Sequence, residues 1–205
     1  LTGAFAQRLV GGYPLFSYYL REFTGFDENG FNTYEGGDID NQTFVGKSAL
    51  PKTNLGISTR FEYKNWDLSA FFTGQYGFYV YNNTANAFFT AGTLSNGRNV
   101  TRDVVGNGES PLNAPDVSTR FLERGDFLRM QNATLGYNFN FDENSIFNSL
   151  RLYLTGQNLF LITNYSGLDP EVDTNKALNN VPSAGIDYTS YPRPRTYTFG
   201  LNVTF

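Results

Sequence analysis

The end of the chain alternates without exception. From residue 196 to residue 205, apolar side chains occupy every odd position, and threonine, asparagine or glycine occupies every even one. A period of two with β-branched and aromatic residues predicts a β-strand with one apolar face. Its length suits a tilted bilayer crossing, which takes about 9–11 residues. A half-buried strand of a soluble sandwich or barrel fits equally well. The apolar stripe consists of Tyr197, Phe199, Leu201, Val203 and Phe205.

Four earlier segments repeat the alternation: residues 55–63, 66–73, 127–141 and 148–158. Every charged residue in their central stretches falls on the polar parity, and in the first two segments Thr59 and Phe71 break the pattern. A lysine or arginine facing lipid at mid-depth costs about 2–4 kcal/mol, so this segregation suits a lipid-facing wall. The residues predicted to face lipid or to form an interfacial aromatic girdle are Tyr63, Trp66, Leu68, Phe72, Leu135, Phe139 and Phe141.

The connections between these strands alternate between short and very long. Turns at 64–65 and 142–147 are short, whereas 77–126 covers 50 residues and 159–194 covers 36. Compact soluble domains rarely carry a loop beyond about 15 residues. Outer-membrane barrels combine short periplasmic turns with long extracellular loops. The spacing therefore favours an all-β transmembrane barrel over a soluble sandwich.

Composition excludes several classes of function. The chain has no cysteine and no histidine, which removes disulfides, thiolate metal sites and the usual general base. Its formal net charge of −4 gives no reason to expect nucleic-acid binding. It has no apolar run long enough for a membrane helix. We therefore expect neither an enzyme nor a catalytic site.

The five predicted strands, with a sixth expected within residues 1–20, are too few to close a barrel. The smallest membrane barrels use about eight strands, and an open sheet edge leaves unpaired backbone groups in hydrocarbon. The chain begins with Leu1 and no signal peptide follows. We therefore expect residues 1–205 to be the C-terminal portion of a longer barrel domain, completed by other strands.

Several motifs carry a family resemblance that covers nearly the whole chain. They are GYPLFSYY (12–19), VGKSALPK (45–52), YKNWDLSAFF (63–72), GDFLRMQNATLGY (125–137), GQNLF (156–160), YSGLDPE (165–171) and YPRPRT (191–196). In this order, ahead of a terminal phenylalanine, they resemble the C-terminal part of SusC-like (RagA-like) TonB-dependent outer-membrane transporters of Bacteroidota. The acidic loop that members often carry before the Pro-Lys hairpin is reduced here to residues 36–40.

The resemblance implies a barrel of about 22 strands, filled by a plug and capped by a SusD-like lipoprotein. It implies active import of oligosaccharides or peptides, driven through TonB. The plug and the TonB box belong to the family's amino-terminal part and are expected outside this chain. The alternative is an outer-membrane barrel that serves as an anchor or assembly component without transport.

The resemblance also implies an orientation. The carboxy terminus is expected at the periplasmic rim of the outer membrane of a Gram-negative bacterium. Segments 77–126 and 159–194 are then extracellular, and the turns at 64–65 and 142–147 are periplasmic. The last strand, with its stripe ending on Phe205, is the expected assembly signal, because its edge stays unpaired until the barrel closes.

Each group of candidate binding residues also has a purely structural explanation. Tyr79, Tyr81, Phe88 and Phe89 could contact a ligand or the lipoprotein, but packing among the loops is at least as good an explanation. Asp38 and Asp40, with Asp27, Glu28 and Glu35 nearby, could bind calcium. The spacing of a known calcium loop is missing, so we expect a solvated acidic loop and no cofactor. Asp169 and Glu171 are expected to form a structural turn rather than an acid–base pair.

Overall fold

The computed structural model describes residues 5–37, 40–142, 146–178 and 180–205. The strands in chain order are β1 (Gln7–Arg8), β2 (Ser17–Leu20), β3 (Phe23–Phe26), β4 (Asn32–Tyr34), β5 (Thr43–Ser48), β6 (Thr53–Tyr63), β7 (Trp66–Tyr76), β8 (Tyr79–Asn82), β9 (Leu122–Arg124), β10 (Phe127–Phe139), β11 (Ser149–Thr163), β12 (Ile186–Asp187) and β13 (Thr196–Thr204). The α-helices are α1 (Asn83–Phe88) and α2 (Ala91–Ser95), and 3-10 turns cover Arg102–Val104 and Thr119–Phe121. No described helix is long and apolar enough to span a bilayer.

The chain divides into two compact units. The first, which we call the loop unit, comprises residues 1–52, 77–125 and 165–191. The second, which we call the sheet unit, comprises residues 53–76, 126–164 and 192–205. Each unit is described by itself.

The sheet unit is a five-stranded antiparallel sheet in the order β13-β11-β10-β7-β6. Each strand pairs with the next strand of this sheet along the chain, as the alternating connections predicted. Among the described residues this sheet does not close on itself, so the prediction of an all-β piece of a barrel is confirmed. One boundary was wrong: β11 runs to Thr163, so its following loop begins after residue 163 and not at 159. The reason is an irregularity at Asn158, where the backbone enters the left-handed region and then resumes the strand.

The register places apolar and polar residues on opposite faces. One row across all five strands consists of Phe61, Leu68, Leu135, Leu154 and Phe199. An adjacent row on the other face consists of Arg60, Ser69, Thr134, Thr155 and Thr198. The two exceptions keep their predicted places, since Thr59 pairs with Ala70 on the apolar face and Phe71 pairs with Ser58 on the polar face. We refer to these as the apolar face and the polar face.

A β-bulge in β10 keeps this segregation intact. Leu135 and other odd residues face the apolar side, so an unbroken β10 would turn Arg129 toward it as well. The register shifts between Met130 and Asn132, with Gln131 as the extra residue relative to β7. Parity is thereby reversed, so Met130 pairs with Phe72 on the apolar face. Arg129 turns to the polar face, where it is 1% exposed.

The neighbouring strand β11 bends at the same level. Two residues, Asn158 and Leu159, stand opposite Gln131, and Asn158 has a φ of 53°. Asparagine is among the few residues that tolerate this left-handed conformation. Its side-chain oxygen accepts a hydrogen bond from Arg129 Nη1 at 2.6 Å, and its Nδ2 donates to the Arg193 carbonyl at 2.8 Å. One side chain therefore joins the buried arginine to the segment that enters β13.

In the loop unit, short strands surround a small core. Strands β1, β2 and β5 form one sheet, β12, β8 and β9 form another, and β3 pairs with β4. The core residues are Ala6, Tyr18, Leu20, Ala49, Tyr81, Leu122 and Ile186. A sixth strand of the large sheet was expected within residues 1–20. Instead, β2 pairs with β1 on one side and with β5 on the other, so that expectation was wrong.

The long connections are folded segments and not bare loops. Residues 77–126 contain β8, both α-helices and β9. The core residue Tyr81 comes from this segment, while Ile186 comes from the second long connection. Burial of the Tyr81 ring and of the Ile186 side chain removes apolar surface from water. This burial supplies the hydrophobic stabilisation that a structureless loop lacks.

We predict that Asn158→Ala lowers the free energy of unfolding of the full-length protein by about 2–4 kcal/mol. The variant loses two hydrogen bonds and places a Cβ-bearing residue without local polar compensation in the left-handed region. Asn158→Gly keeps the backbone freedom and should lose less. Asn158→Asp keeps the acceptor for Arg129 and loses only the donor to Arg193. Urea unfolding in detergent measures all three, and wild-type stability for both the alanine and glycine variants would contradict the role of Asn158.

Candidate functional site

The apolar face of the sheet unit is exposed along its whole width. In the row that crosses all five strands, the exposed fraction is 40% for Leu68, 44% for Leu135 and 69% for Phe199. All five charged residues of these strands lie on the polar face, namely Arg60, Glu62, Asp67, Arg129 and Arg151. A continuous exposed apolar surface of this kind marks an interface with lipid or protein. The apolar face carries no charged residue from one end of the strands to the other, as contact with hydrocarbon requires.

Aromatic side chains gather at the end of the sheet near the short turns. Trp66 and Tyr137 meet edge to face with ring centroids 4.8 Å apart, and Tyr137 meets Phe139 in the same way. Beyond the strands, Phe147 lies 5.9 Å from Phe141 and 5.5 Å from Phe205. Aromatic rings of this kind form the girdles at membrane–water interfaces.

All of the residues predicted to face lipid lie where the alternation placed them. Tyr63, Trp66, Leu68, Phe72, Leu135 and Phe139 share the apolar face, and Phe141 lies two residues beyond the end of β10. Along β13, Tyr197, Phe199, Leu201 and Val203 share that face, and Phe205 follows them. Contact with lipid and the role in assembly stay predictions for both sets.

On the polar face, an ion pair spans three strands. Arg151 of β11 donates to Asp67 of β7 through Nη2 at 2.5 Å and through Nε at 2.9 Å. Asn138 Nδ2 donates to the same carboxylate at 3.1 Å. Gly136 of the intervening β10 makes this possible, because a Cβ there would lie 2.5 Å from Arg151 Nη2 and from Asp67 Oδ2. The pair holds β7, β10 and β11 in one register.

We predict opposite outcomes for two adjacent lysine substitutions in the full-length protein. Leu68→Lys places a charge on the apolar face and should cost about 2–4 kcal/mol of folded stability. Ser69→Lys places the same charge on the polar face beside Arg60 and should cost much less. The heat-modifiable fraction of folded protein after insertion into lipid vesicles measures both. An equal loss for the two variants would contradict the assignment of the faces.

The loop unit contains a cavity of about 520 Å³, which we call the loop cavity. Its volume lies within the range of about 300–1,000 Å³ typical of small-ligand sites. Most of the wall is apolar. The apolar residues of the wall are Ala85, Phe89, Val104, Phe121 and Leu168, and the charged ones are Asp103, Arg120, Glu123 and Asp187.

A network of neutral donors holds two of the carboxylates of the loop cavity in place. Glu123 Oε1 accepts from Asn82 Nδ2 at 3.0 Å and from Ser166 Oγ at 2.7 Å, and its Oε2 accepts from the Ser166 amide at 2.7 Å. Asp187 Oδ2 accepts from the Tyr165 hydroxyl at 2.7 Å. Burial, and then this hydrogen bond, raise the pKa of the Tyr165 hydroxyl, so the hydroxyl stays protonated and remains a donor.

The single arginine of the loop cavity is already paired. Arg120 donates to both oxygens of Glu109, at 2.6 and 2.7 Å, and the Ala91 amide donates to the same carboxylate at 3.0 Å. Its guanidinium also lies over the Phe121 ring at 4.8 Å. Burial opposes ionisation of Glu109, but Arg120 and the Ala91 amide outweigh it, and the pKa of Glu109 falls below its usual value.

Only one of the four loop aromatics predicted as ligand contacts lines the loop cavity. Phe89 does so, whereas Tyr79 packs against the core with Lys47 Nζ 5.0 Å from its ring centroid. Phe88 stacks on Tyr188. Tyr81 is fully buried in the core and presents no face to a ligand, so its prediction as a contact was wrong.

Two of the acidic residues noted in the sequence form turns. Asp27 Oδ1 accepts the amides of Asn29 and Phe31, and Asp169 Oδ1 accepts the Glu171 amide, which supports the turn expected there. Within the described ranges no three acidic side chains converge as a metal site requires. Asp38 lies outside the described residues. The absence of a cofactor stays a prediction.

We predict that the segment around Glu109 loosens on acidification. Since the folded-state pKa is lowered, the ionised carboxylate contributes stability above the ordinary glutamate pKa of 4.5, and this contribution is lost as the pH falls through the lower folded value. Hydrogen exchange of residues 107–121 in the full-length protein should therefore accelerate between pH 6 and pH 3.5, after correction for intrinsic rates. Glu109→Gln should cost about 3 kcal/mol at pH 6 and remove most of the pH dependence. A pH dependence unchanged in the variant would assign it to another group.

The sheet unit defines the class of protein. An open antiparallel sheet with an uncharged apolar face, a polar opposite face and long connections leaving one end is a piece of the wall of a transmembrane β-barrel. The expected all-β fold is therefore found.

Relatives of known sequence identify the family. The chain is 34% identical to TonB-dependent receptor SusC of Bacteroides thetaiotaomicron over 188 residues, which is 87% of this chain and 17% of that receptor. It is also 34% identical to TonB-dependent receptor P3 of Formosa agariphila over 173 residues, 76% of this chain and 16% of the receptor. No family model matches the chain. The chain belongs to the SusC-like family of TonB-dependent receptors and spans about a sixth of the length of these relatives.

Solved structures agree on the fold. The RagAB peptide importer in its open-open state matches 97% of this chain and 25% of the compared chain, with a TM-score of 0.74 and 22% identity. Its closed-closed state matches 92% of this chain with a TM-score of 0.73. The relatives are receptors and importers rather than enzymes, which confirms that expectation.

Sequence reasoning missed the residues that give the loop cavity its charge. Asp103, Glu123 and Asp187 lie far apart in the chain, in segments without a periodic pattern. The sequence offers no signal that would have grouped them. Gly136 was visible only as a small residue on the polar parity, and its place beneath an ion pair depends on the register.

Proposed function

We propose that this chain is part of the barrel wall of a TonB-dependent importer in the outer membrane of a Gram-negative bacterium, which takes up oligosaccharides or peptides. The observation that carries the proposal is the segregation of charge across all five strands, combined with membership of the SusC-like family. One relative in fold, RagAB, is a peptide importer. The loop cavity gives the chain a place of its own for a small ligand.

The full protein works with partners that this chain does not contain. The remaining strands close the barrel to about 22 and pair with the free edges of β6 and β13. The polar face lines a lumen that holds the plug, which couples to TonB. A SusD-like lipoprotein covers the extracellular side. Outer-membrane lipid contacts the apolar face, and no nucleic acid is involved.

Connectivity supports the proposed orientation. Both long connections leave the sheet at the ends of β7 and β11 and return at the starts of β10 and β13, so they share one end of the sheet. That end is extracellular, and the opposite end with the carboxy terminus lies at the periplasmic rim. Phe205, beside Phe147 at that rim, completes the strand that assembly recognises.

Uptake by cells tests import against the anchoring alternative. A strain lacking the full-length protein should lose the uptake of one of two labelled substrates, an oligosaccharide or a peptide mixture. The intact gene should restore uptake, and a variant without its TonB box should not, although it reaches the membrane in equal amount. Normal uptake of both substrate classes in the deletion strain, together with altered membrane integrity, would contradict import and favour an anchor.

A further inference from the structure

The loop cavity is electrically unbalanced. Three carboxylates line it, those of Asp103, Glu123 and Asp187, against one cation, Arg120. Arg120 is committed to Glu109 through two hydrogen bonds, and the side chain of Glu109 is only 1% exposed. Within the described part of the chain, none of the three carboxylates forms an ion pair with a lysine or arginine. The cavity therefore holds negative charge without a balancing cation.

The carboxylates keep capacity for another donor. A carboxylate offers about four acceptor positions. Glu123 receives three hydrogen bonds, all from neutral groups, and Asp187 receives its donors from the neutral hydroxyls of Tyr165 and Thr84. These donors fix the oxygens in position without neutralising them. Asp103 is exposed, and its nearest donor is the Thr101 hydroxyl at 3.5 Å.

The rest of the wall sets the character of the ligand beyond its charge. Phe89, Val104, Phe121 and Leu168 give the cavity an apolar surface beside the carboxylates. A neutral sugar has hydroxyls around its ring edge that such a wall leaves unpaired, which is costly. Anionic ligands are repelled by the carboxylates. An amine next to an apolar group matches both parts of the wall.

We propose that the loop cavity binds the free amino terminus of a short peptide, with the ammonium group attracted by the carboxylates of the lining, those of Asp103, Glu123 and Asp187, and the first apolar side chain against Phe89 and Phe121. The inference rests on the proposed function, because it names the substrate class at a site of the importer. The ammonium supplies three donors, and a hydrogen bond from such a charged donor to a carboxylate is among the strong ones.

The test uses the purified full-length protein in detergent and the amidated tripeptide Phe-Leu-Phe, with a free or an acetylated amino terminus. Calorimetric titration should show that the free form binds about tenfold more tightly than the acetylated form. This ratio corresponds to a difference of about 1.4 kcal/mol in binding free energy. Asp103→Asn, at an exposed position, should weaken the free form several-fold, and Asp103→Asn with Glu123→Gln should bring it to the level of the acetylated form. Glu28→Gln, an exposed acid outside the cavity, is the matched control and should change nothing.

Several results would overturn the proposal. Equal affinity for the two forms of the peptide would do so, as would a free-form affinity that neither variant changes. A glucosamine trimer that binds more tightly than the free peptide would reassign the cavity to amino sugars. TonB-dependent uptake with no amine preference refutes only the cavity inference. The opposite case is a protein that prefers the free amino terminus, loses this preference in the cavity variants, and can be deleted without any loss of uptake. That result refutes only the import function.

Discussion

Hydrocarbon tolerates neither a charge nor an unpaired backbone group at acceptable cost, and the sheet unit is arranged around this constraint. Its five strands carry all of their charged side chains on one face. Hydrogen bonds between neighbouring strands satisfy the backbone, except at the free edges of β6 and β13, which further strands must cover. The exposed apolar row and the aromatic girdle follow from the same constraint, because they are the surfaces that lipid and its interface accept.

The constraint also explains the irregular places in the sheet. An unbroken strand would carry Arg129 to the apolar face, and the bulge at Gln131 prevents this because it reverses the parity. The bulge displaces β11, which takes up the displacement at Asn158 by entering the left-handed region. Asn158 then binds both Arg129 and the carbonyl of Arg193. A local deviation from ideal geometry thus keeps the long-range segregation of charge and positions the entry into β13.

Much of the sheet could be predicted from the sequence, because alternation reports directly which face each residue takes. The apolar positions of β7, β10 and β13 were placed correctly, including the exception at Phe71. The end of β11 was misplaced, since a bulge interrupts the alternation that marks a strand. Tyr81 was misjudged because an aromatic residue in a long connection reads the same whether it is buried or exposed. The loop cavity depends on distant segments meeting, and a single sequence carries no signal for that.

The assignment of the two faces is the claim on which the rest depends, and adjacent residues of β10 test it directly. Spin labels at position 135 and at position 134, introduced one at a time into the full-length protein in lipid vesicles, report collision rates with oxygen and with a water-soluble nickel chelate. The account predicts that the label replacing Leu135 is accessible to oxygen and protected from the chelate, and that the label replacing Thr134 shows the weaker oxygen access of a lumenal position. Equal accessibility at the two positions, or the reverse order, would contradict it.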